Sequence, residues 1–303
     1  MKEFIHFYYG FNIDNINQIN DYYTFNYNDD IYYLIPFNQN ENRLNYYIDI
    51  SNRLLKYNIK SHIVINNNDG KKITYIDDVG YILLKIINNN EEINIFDIKD
   101  NQYKFLNEKI SINKNHISWS ELWQIKVDFL ENSLNEIKKD NIIEHSYDYY
   151  IGMAENAIIY YNQTIRQYYI NDYPLTWCHK RIYYPNMSIN YLNPINYIID
   201  YDIRDIAEYL KSAFFYNEKI AYEELCSYIK IGKLNNYNAN LLLARLLYPS
   251  YYFDYLEKWI NHKTSSNDLL NIINKQSSYE QFIKKAYQLL SNYALLIPID
   301  YLR

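Results

Sequence analysis

Near Ser118 the hydrophobic pattern of this chain changes period, and that change bounds what it can fold into. Before it, short runs rich in Tyr, Ile and Phe are broken by Asn, Asp and Gly, as in strands joined by tight turns. "YYTFNY" (Tyr22–Tyr27) and "IYYLIPF" (Ile31–Phe37) flank an "NDD" turn and predict a hairpin. "SHIVINNNDGKKITYIDD" predicts a second hairpin about Asp69-Gly70, and "YILLKII" (Tyr81–Ile87) a buried strand. Leu44, Ile48 and Leu55 fall at helical multiples, so one helix interrupts the strands between Asn40 and Lys60. From Ser118 the period is helical. "SWSE" is a capping box, with Ser118 placed to accept a backbone N–H and Glu121 placed to reach back. Trp119, Trp123, Val127, Leu130, Leu134 and Ile137 predict one apolar stripe on one helix, and a second helix is expected over Tyr149–Tyr169. "IRDIAEYLKSAFF", "EKIAYEELCSYIK", "NANLLLARLLYPSYYFDYLEKWI" and "YEQFIKKAYQLLSNYALL" each read as helical. The expectation is an α+β fold in two lobes: a strand-rich lobe over 1–88, a link near Asn88–Asn107, and a helical lobe within 89–303.

Composition closes several functional classes. With 303 residues and 49% hydrophobic content the chain can bury a large core. A formal charge of -6 supplies no clustered cationic field, which argues against nucleic acid as a partner. Cys178 and Cys226 lie far apart in no metal or redox spacing, so a reducing compartment and small core residues are expected. The N-terminus lacks an apolar stretch followed by a small-residue cleavage site, and no apolar run approaches the ~18 residues of a membrane span. Synthesis in the cytoplasm, without a membrane span, is the expectation. The 39 tyrosines, with abundant Asn, Ile and Lys, are what A/T-rich codons produce without any special role.

Glycines occur only at 10, 70, 80, 152 and 232, so neither a Rossmann fingerprint nor a P-loop can be written. G-x-S-x-G, H-E-x-x-H and C-x-x-C are absent, and the histidines at 6, 62, 116, 145, 179 and 262 are scattered. Cys178 and His179 are neighbours, but adjacent residues of an extended segment point to opposite faces, which argues against a nucleophile–base pair.

One window carries chemistry: "TWCHKRIYYPNMSIN" (Thr176–Asn190), followed by "YIIDYD" and "RDIAEYL". It resembles the aminoglycoside phosphotransferase/choline kinase-like superfamily, whose catalytic loop runs His-Gly-Asp, four residues, Asn. That resemblance implies a protein-kinase-like fold, a small antiparallel-sheet N-lobe and a larger helical C-lobe. It implies that His179 is the loop histidine and that Asn186 and Asp200 are the Mg-ATP ligands. Asp205, by the same resemblance, braces the loop. Arg181, however, stands where the family keeps its catalytic aspartate, and Lys180 where it keeps glycine. A guanidinium has five donors and no acceptor, so it cannot take a proton from a hydroxyl. The strand expected to carry a phosphate-anchoring lysine has Ile35 and Pro36 instead, with Lys85 as a substitute candidate. Asp202 or Asp205 equally suits a helix cap or first-turn charge, and Asn186 after Pro185 suits a turn. Pairing of Arg181 with Asp200 or Asp205 would close the former metal site.

"WSELWQIKVDFLENSL", "IGMAENAIIYY", "LTWCHKRI", "RDIAEYL" and "LLARLLYPSYYFDYLEKW" together resemble the YutH branch of the spore-coat kinase-like proteins. The resemblance implies a spore-coat association and coat-protein partners. Three readings follow: a degenerate pseudokinase acting as a coat interaction protein, a divergent Mg-ATP-dependent phosphotransferase in which Asp200, Asp202 or another carboxylate replaces the base, and a helical scaffold unrelated to kinases.

Overall fold

Two-residue turns set the register of the first sheet. The computed structural model describes the chain except residues 20, 88–92, 106–117, 169, 171–172, 186, 233, 262–263 and 303 and the side chains of 188 and 189. It begins with a helix α1 (Lys2–Tyr9) that the sequence reading did not anticipate, ended by Gly10 in the left-handed region at φ 71°. There follow β1 (Asn17–Ile19), β2 (Tyr22–Tyr27), β3 (Asp30–Pro36), α2 (Glu41–Lys56), β4 (Ile63–Ile65), β5 (Thr74–Ile76), β6 (Val79–Lys85) and α3 (Ile95–Phe105). Asn28 and Asp29, at φ 47° and 64°, close the β2–β3 hairpin, a conformation that short Asn and Asp side chains tolerate.

The second hairpin differs from expectation. It is closed by Asp77 and Asp78, at φ 44° and 66°, between β5 and β6, and β4 also pairs with β6. Asp69-Gly70 instead forms a local turn in which the Asn67 carboxamide oxygen accepts from the N–H of Asp69 and Lys71. An Asp-Gly dipeptide marks a turn but cannot say which strands the turn joins. Helix α3 lies within the stretch read as a link, and the expected boundary at Asn88 falls outside the described residues.

The sheet is antiparallel, in the order β1-β2-β3-β6-β4, with β5 added beside β6. Alternation along β3 and β6 sorts the two faces. Tyr32, Leu34 and Leu83 pack with Ile5 and Tyr9 of α1. Tyr33, Ile82 and Leu84 pack with Leu44 and Tyr47 of α2. The buried positions of α2 are Leu44, Tyr47, Ile50, Ser51 and Leu54, while Leu55 is 51% exposed, so the inward stripe runs through Tyr47 rather than through Leu55. Gly80 has a steric reason: an added Cβ would lie 2.7 Å from the Phe37 carbonyl oxygen.

The helical part continues with α4 (Trp119–Asn132), α5 (Leu134–Ile137) and α6 (Asn141–Tyr168). The Ser118 side chain accepts from the N–H of Glu121 at 3.2 Å, forming its half of the capping box. The stripe read as one helix is broken at Ser133 into α4 and α5. Helix α6 starts eight residues before Tyr149, because the Asp140 carboxylate accepts from the N–H of Ile142 and Ile143 and nucleates the first turn. Then come β7 (Thr176–His179), α7 (Met187–Tyr191), β8 (Tyr197–Asp200), α8 (Ile203–Tyr216), α9 (Glu218–Gly232), α10 (Asn236–Leu247), α11 (Ser250–Ile260), α12 (Ser266–Ile273) and α13 (Gln276–Ser291). The run ending in "EKWI" is two helices, since Pro249 lacks the N–H that a continuous helix would need. Helix α10 is apolar and buried nearly all round, as a central helix must be.

The chain packs as two compact units: Met1–Glu108 with Thr176–Ile182 and Asn186–Asp200, and Lys109–Leu175 with Tyr183–Pro185 and Tyr201–Arg303. Cys178 is a buried core residue and Cys226 is half-buried, both as free thiols. Among the described residues no helix is long and apolar enough to cross a membrane.

Candidate functional site

In the first unit β7 and β8 form a short antiparallel ribbon that sets Thr176 opposite Asp200 and His179 opposite Tyr197. Cys178 anchors the ribbon: its Sγ accepts from the Gln102 side chain of α3 at 3.3 Å and donates to the Asp200 carbonyl at 3.7 Å. The Thr176 hydroxyl donates to the Gln102 carbonyl at 3.1 Å. Asp200 is 4% exposed.

His179 is fully buried, stacked on Tyr191 at 4.3 Å and edge-on to Trp177 and Tyr197. Its Nε2 lies 2.8 Å from the Tyr191 carbonyl oxygen. A carbonyl only accepts, so Nε2 carries the proton, and the ring acts as a packed post that fixes the loop.

The next two residues hold the loop in a cationic arrangement. Lys180 Nζ donates to the Ile195 carbonyl at 2.7 Å and to the Tyr47 hydroxyl at 2.9 Å, 4.8 Å from the Tyr47 ring centroid. Arg43 Nε donates to the same hydroxyl at 3.1 Å, and the hydroxyl donates to Gln39 Oε1 at 3.1 Å. Burial pushes the Tyr47 phenol up, but the hydrogen bonds and charges of Lys180 and Arg43 outweigh it, and its pKa lies below the ordinary tyrosine value. Arg181 Nη1 donates to the Lys180 carbonyl at 2.7 Å. Its backbone is clamped by Asn196, which accepts from its N–H at 3.3 Å and donates to its carbonyl at 2.8 Å. Tyr47 and Asn196 escaped the sequence reading. The only signal for Tyr47 was its place on the buried stripe of α2, and Asn196 was hidden among many asparagines.

Asp202 and Asp205 belong to the second unit. Asp202 caps α8, its Oδ1 accepting from the N–H of Ile203 and from the Tyr173 hydroxyl, each at 2.8 Å. Burial, then the Asp202 charge and hydrogen bond, push the Tyr173 phenol well up. Asp205 is fully buried in the first turn of α8, where the helix dipole favours a carboxylate. One turn on, Glu208 meets two buried cations, Arg245 Nε at 3.0 Å and Lys211 Nζ at 3.5 Å, and Arg245 lies over the Trp119 ring at 5.0 Å. This network also went unread, because a charged residue inside an amphipathic helix looks like a surface position until the packing is known.

Lys85 is engaged by Asp30 at 2.5 Å, at the register position beside Tyr32, and that hydrogen bond raises its pKa. Ile35 and Pro36 sit on β3 opposite Ile82 and Tyr81. Asn186 lies outside the described residues. Among the described residues no group of three or more His, Cys, Asp or Glu side chains could hold a metal ion. The described loop offers one carboxylate, Asp200, beside the donor-only cations Lys180 and Arg181.

Solved structures carry the same fold. An aminoglycoside phosphotransferase from Alicyclobacillus acidocaldarius subsp. acidocaldarius DSM 446 superposes with a TM-score of 0.62 at 10% identity, over 92% of this chain and 93% of that one. The amicoumacin kinase hAmiN gives 0.56 at 11% identity over 94% and 92%. Spectinomycin phosphotransferase APH(9)-Ia gives 0.55 at 12% identity over 96% of each. The fold is therefore α+β and two-lobed kinase-like, with a small antiparallel-sheet lobe and a mainly helical remainder, and a scaffold unrelated to kinases is excluded. In sequence, the chain is 28% identical over 206 residues to the endospore coat-associated protein YutH of Bacillus subtilis (strain 168), a stretch spanning 59% of either chain. The model of the family described as "Spore coat putative kinase YutH" matches residues 2–286. With nearly its whole length matched, the chain belongs to this YutH family of spore-coat proteins with a kinase-like fold.

Proposed function

We propose that this chain is a catalytically degenerate kinase, a pseudokinase that serves the spore coat as a component or assembly partner of other coat proteins. One observation carries the loss of catalysis: the base position holds Arg181, a donor-only side chain whose guanidinium donates to the neighbouring Lys180 carbonyl. Lys180 fills the glycine position and is committed to Tyr47. Asp202, the nearest spare carboxylate by sequence, is engaged in capping α8 and accepting from Tyr173. Pairing of Arg181 with Asp200 is part of the proposal and would neutralise the one carboxylate a metal needs. The coat role rests on the family description and on the name of the Bacillus subtilis relative.

The competing reading, a Mg-ATP-dependent phosphotransferase acting on a small-molecule or protein hydroxyl, draws on the buried carboxylates Asp200 and Asp205. Thermal shift with millimolar Mg-ATP separates the two. The expected result is no shift for the wild-type chain and for Asp200→Ala, and a gain in magnesium or nucleotide affinity for Arg181→Asp. A wild-type shift abolished by Asp200→Ala would replace the pseudokinase with the phosphotransferase. A fluorescent fusion in sporulating cells tests the coat role, which predicts signal at the coat and in coat extracts.

A further inference from the structure

Helix α2 and the β7–β8 loop, both in the first unit, bring two cations to one neutral atom. Lys180 Nζ and Arg43 Nε each donate to the Tyr47 hydroxyl, at 2.9 and 3.1 Å. Lys180 also donates to the Ile195 carbonyl, an uncharged acceptor. The contrast is with Glu208, which gathers Arg245 and Lys211 around a carboxylate. At Tyr47 the gathering group is a phenol, and the two positive charges meet without being cancelled there. Arg43 enters no ion pair, and its Nη groups make no hydrogen bond to the protein, among the described residues. Its guanidinium is nonetheless held, 5.1 Å from the centroids of both the Tyr46 and the Tyr47 ring. Gln39 accepts from the hydroxyl through Oε1 at 3.1 Å, so its amide N–H groups remain as donors beside the pair. Arg43 and Gln39 are exposed, while Tyr47 is fully buried.

A fixed guanidinium and an ammonium that share a neutral oxygen favour an anion beside them. The same field already acts on Tyr47, whose phenol the two cations hold below its ordinary value. Charge selects the kind of anion. A phosphate dianion balances both cations where a carboxylate balances one, and a guanidinium fork matches phosphate oxygens bidentately. Two cations on a chain of formal charge -6 are too few to follow a nucleic-acid backbone, so a single phosphate group is the match. We propose that Arg43, Gln39 and Lys180 form a binding site for one phosphate group, either free or carried on a partner. The site is separate from the Mg-ATP ligands that the kinase resemblance implies, and it does not depend on whether the β7–β8 loop is catalytic.

Calorimetric titration of the full chain with inorganic phosphate and with O-phospho-L-serine, at constant ionic strength and without magnesium, tests it. The expected result is saturable binding of a phosphate compound and none of serine. Tighter binding of O-phospho-L-serine assigns the site to a phosphorylated partner, and binding no tighter than that of inorganic phosphate assigns it to the free ion. Affinity should fall by about tenfold in Arg43→Gln and stay unchanged in Arg53→Gln, which alters an arginine of the same helix that pairs with Asp49. Because Arg43 is exposed, its variant should keep the wild-type fold. Tyr47→Phe supplies a second readout: it strips both cations of their shared acceptor, so phosphate should raise its melting temperature more than that of the wild type. A contact that only pins the loop gives no such rescue. Absence of saturable binding at tens of millimolar phosphate would overturn the proposal. So would affinity that Arg43→Gln leaves unchanged, a Tyr47→Phe chain that phosphate stabilises no more than wild type, or binding lost in Asp200→Ala, which would move the phosphate to the kinase-type site.

Discussion

Tyr47 shows how one side chain can tie a loop to a helix far away in sequence. Its hydroxyl takes hydrogen bonds from Lys180 and Arg43 and gives one to Gln39, so it ties the loop's would-be glycine position to α2. Tyr47→Phe keeps the ring and removes the acceptor from two cations. Unfolding in urea is expected to show a loss of about 1.5–3 kcal/mol, the range for hydrogen bonds to charged groups. The pH dependence has a definite sign. The folded phenol titrates below the unfolded one, so the unfolded chain holds more protons as pH climbs toward 10, and the bond gains stabilising weight there. The gap between wild type and Tyr47→Phe should therefore widen with pH, and a gap that narrows would show the phenol is not held by cations. At this scale the donor-only chemistry of Arg181 was readable from its residue type. The partners of Lys180 were not, because Tyr47 lies 133 positions away and nothing local in a sequence encodes a long-range hydrogen bond.

Helix α8 illustrates the same limit for elements. Its start was legible from "DIRDIA", and Asp202 does cap it. Its inward face was not, since Arg204, Asp205, Glu208 and Lys211 are all buried there. Glu208 holds Arg245 and Lys211 together, joining α8 to α10. Glu208→Ala strands two cations out of water and should cost about 3–5 kcal/mol. By contrast Lys126→Ala breaks a half-exposed pair with Glu257, worth at most about 1 kcal/mol because solvent screens it. Urea midpoints of the two variants should differ accordingly, and equal midpoints would mean the buried triad is not a single network. The other misread elements share a physical cause. The α4–α5 break at Ser133 and the early start of α6 at Asp140 depend on single polar side chains bonding to the backbone, which hydrophobic periodicity does not register.

For the whole molecule, the change of period near Ser118 located the two kinds of architecture, whereas the return of the β7–β8 ribbon to the sheet-bearing unit is a matter of topology that periodicity cannot carry. The tyrosine content, explicable by codon bias, acquires a physical consequence once folded. Tyr150, Tyr160, Tyr173, Tyr197, Tyr228 and Tyr279 are held neutral well above the ordinary value, chiefly by burial, and Tyr147 and Tyr252 are pushed up to about 12 by the same cause. In the unfolded chain these phenols ionise near 10, so above that pH the unfolded state has released protons that the folded state still holds. Their contribution is complete below pH 10 and is lost as pH rises through 12. An alkaline titration should accordingly show two phases of tyrosinate absorbance. The first, from exposed rings, leaves the helical circular dichroism intact. The second coincides with its loss, because buried phenols ionise only when the packing around them opens. A single phase near 10 with the helical signal preserved would mean that water already reaches these rings, and that the aromatic core is looser than its packing implies.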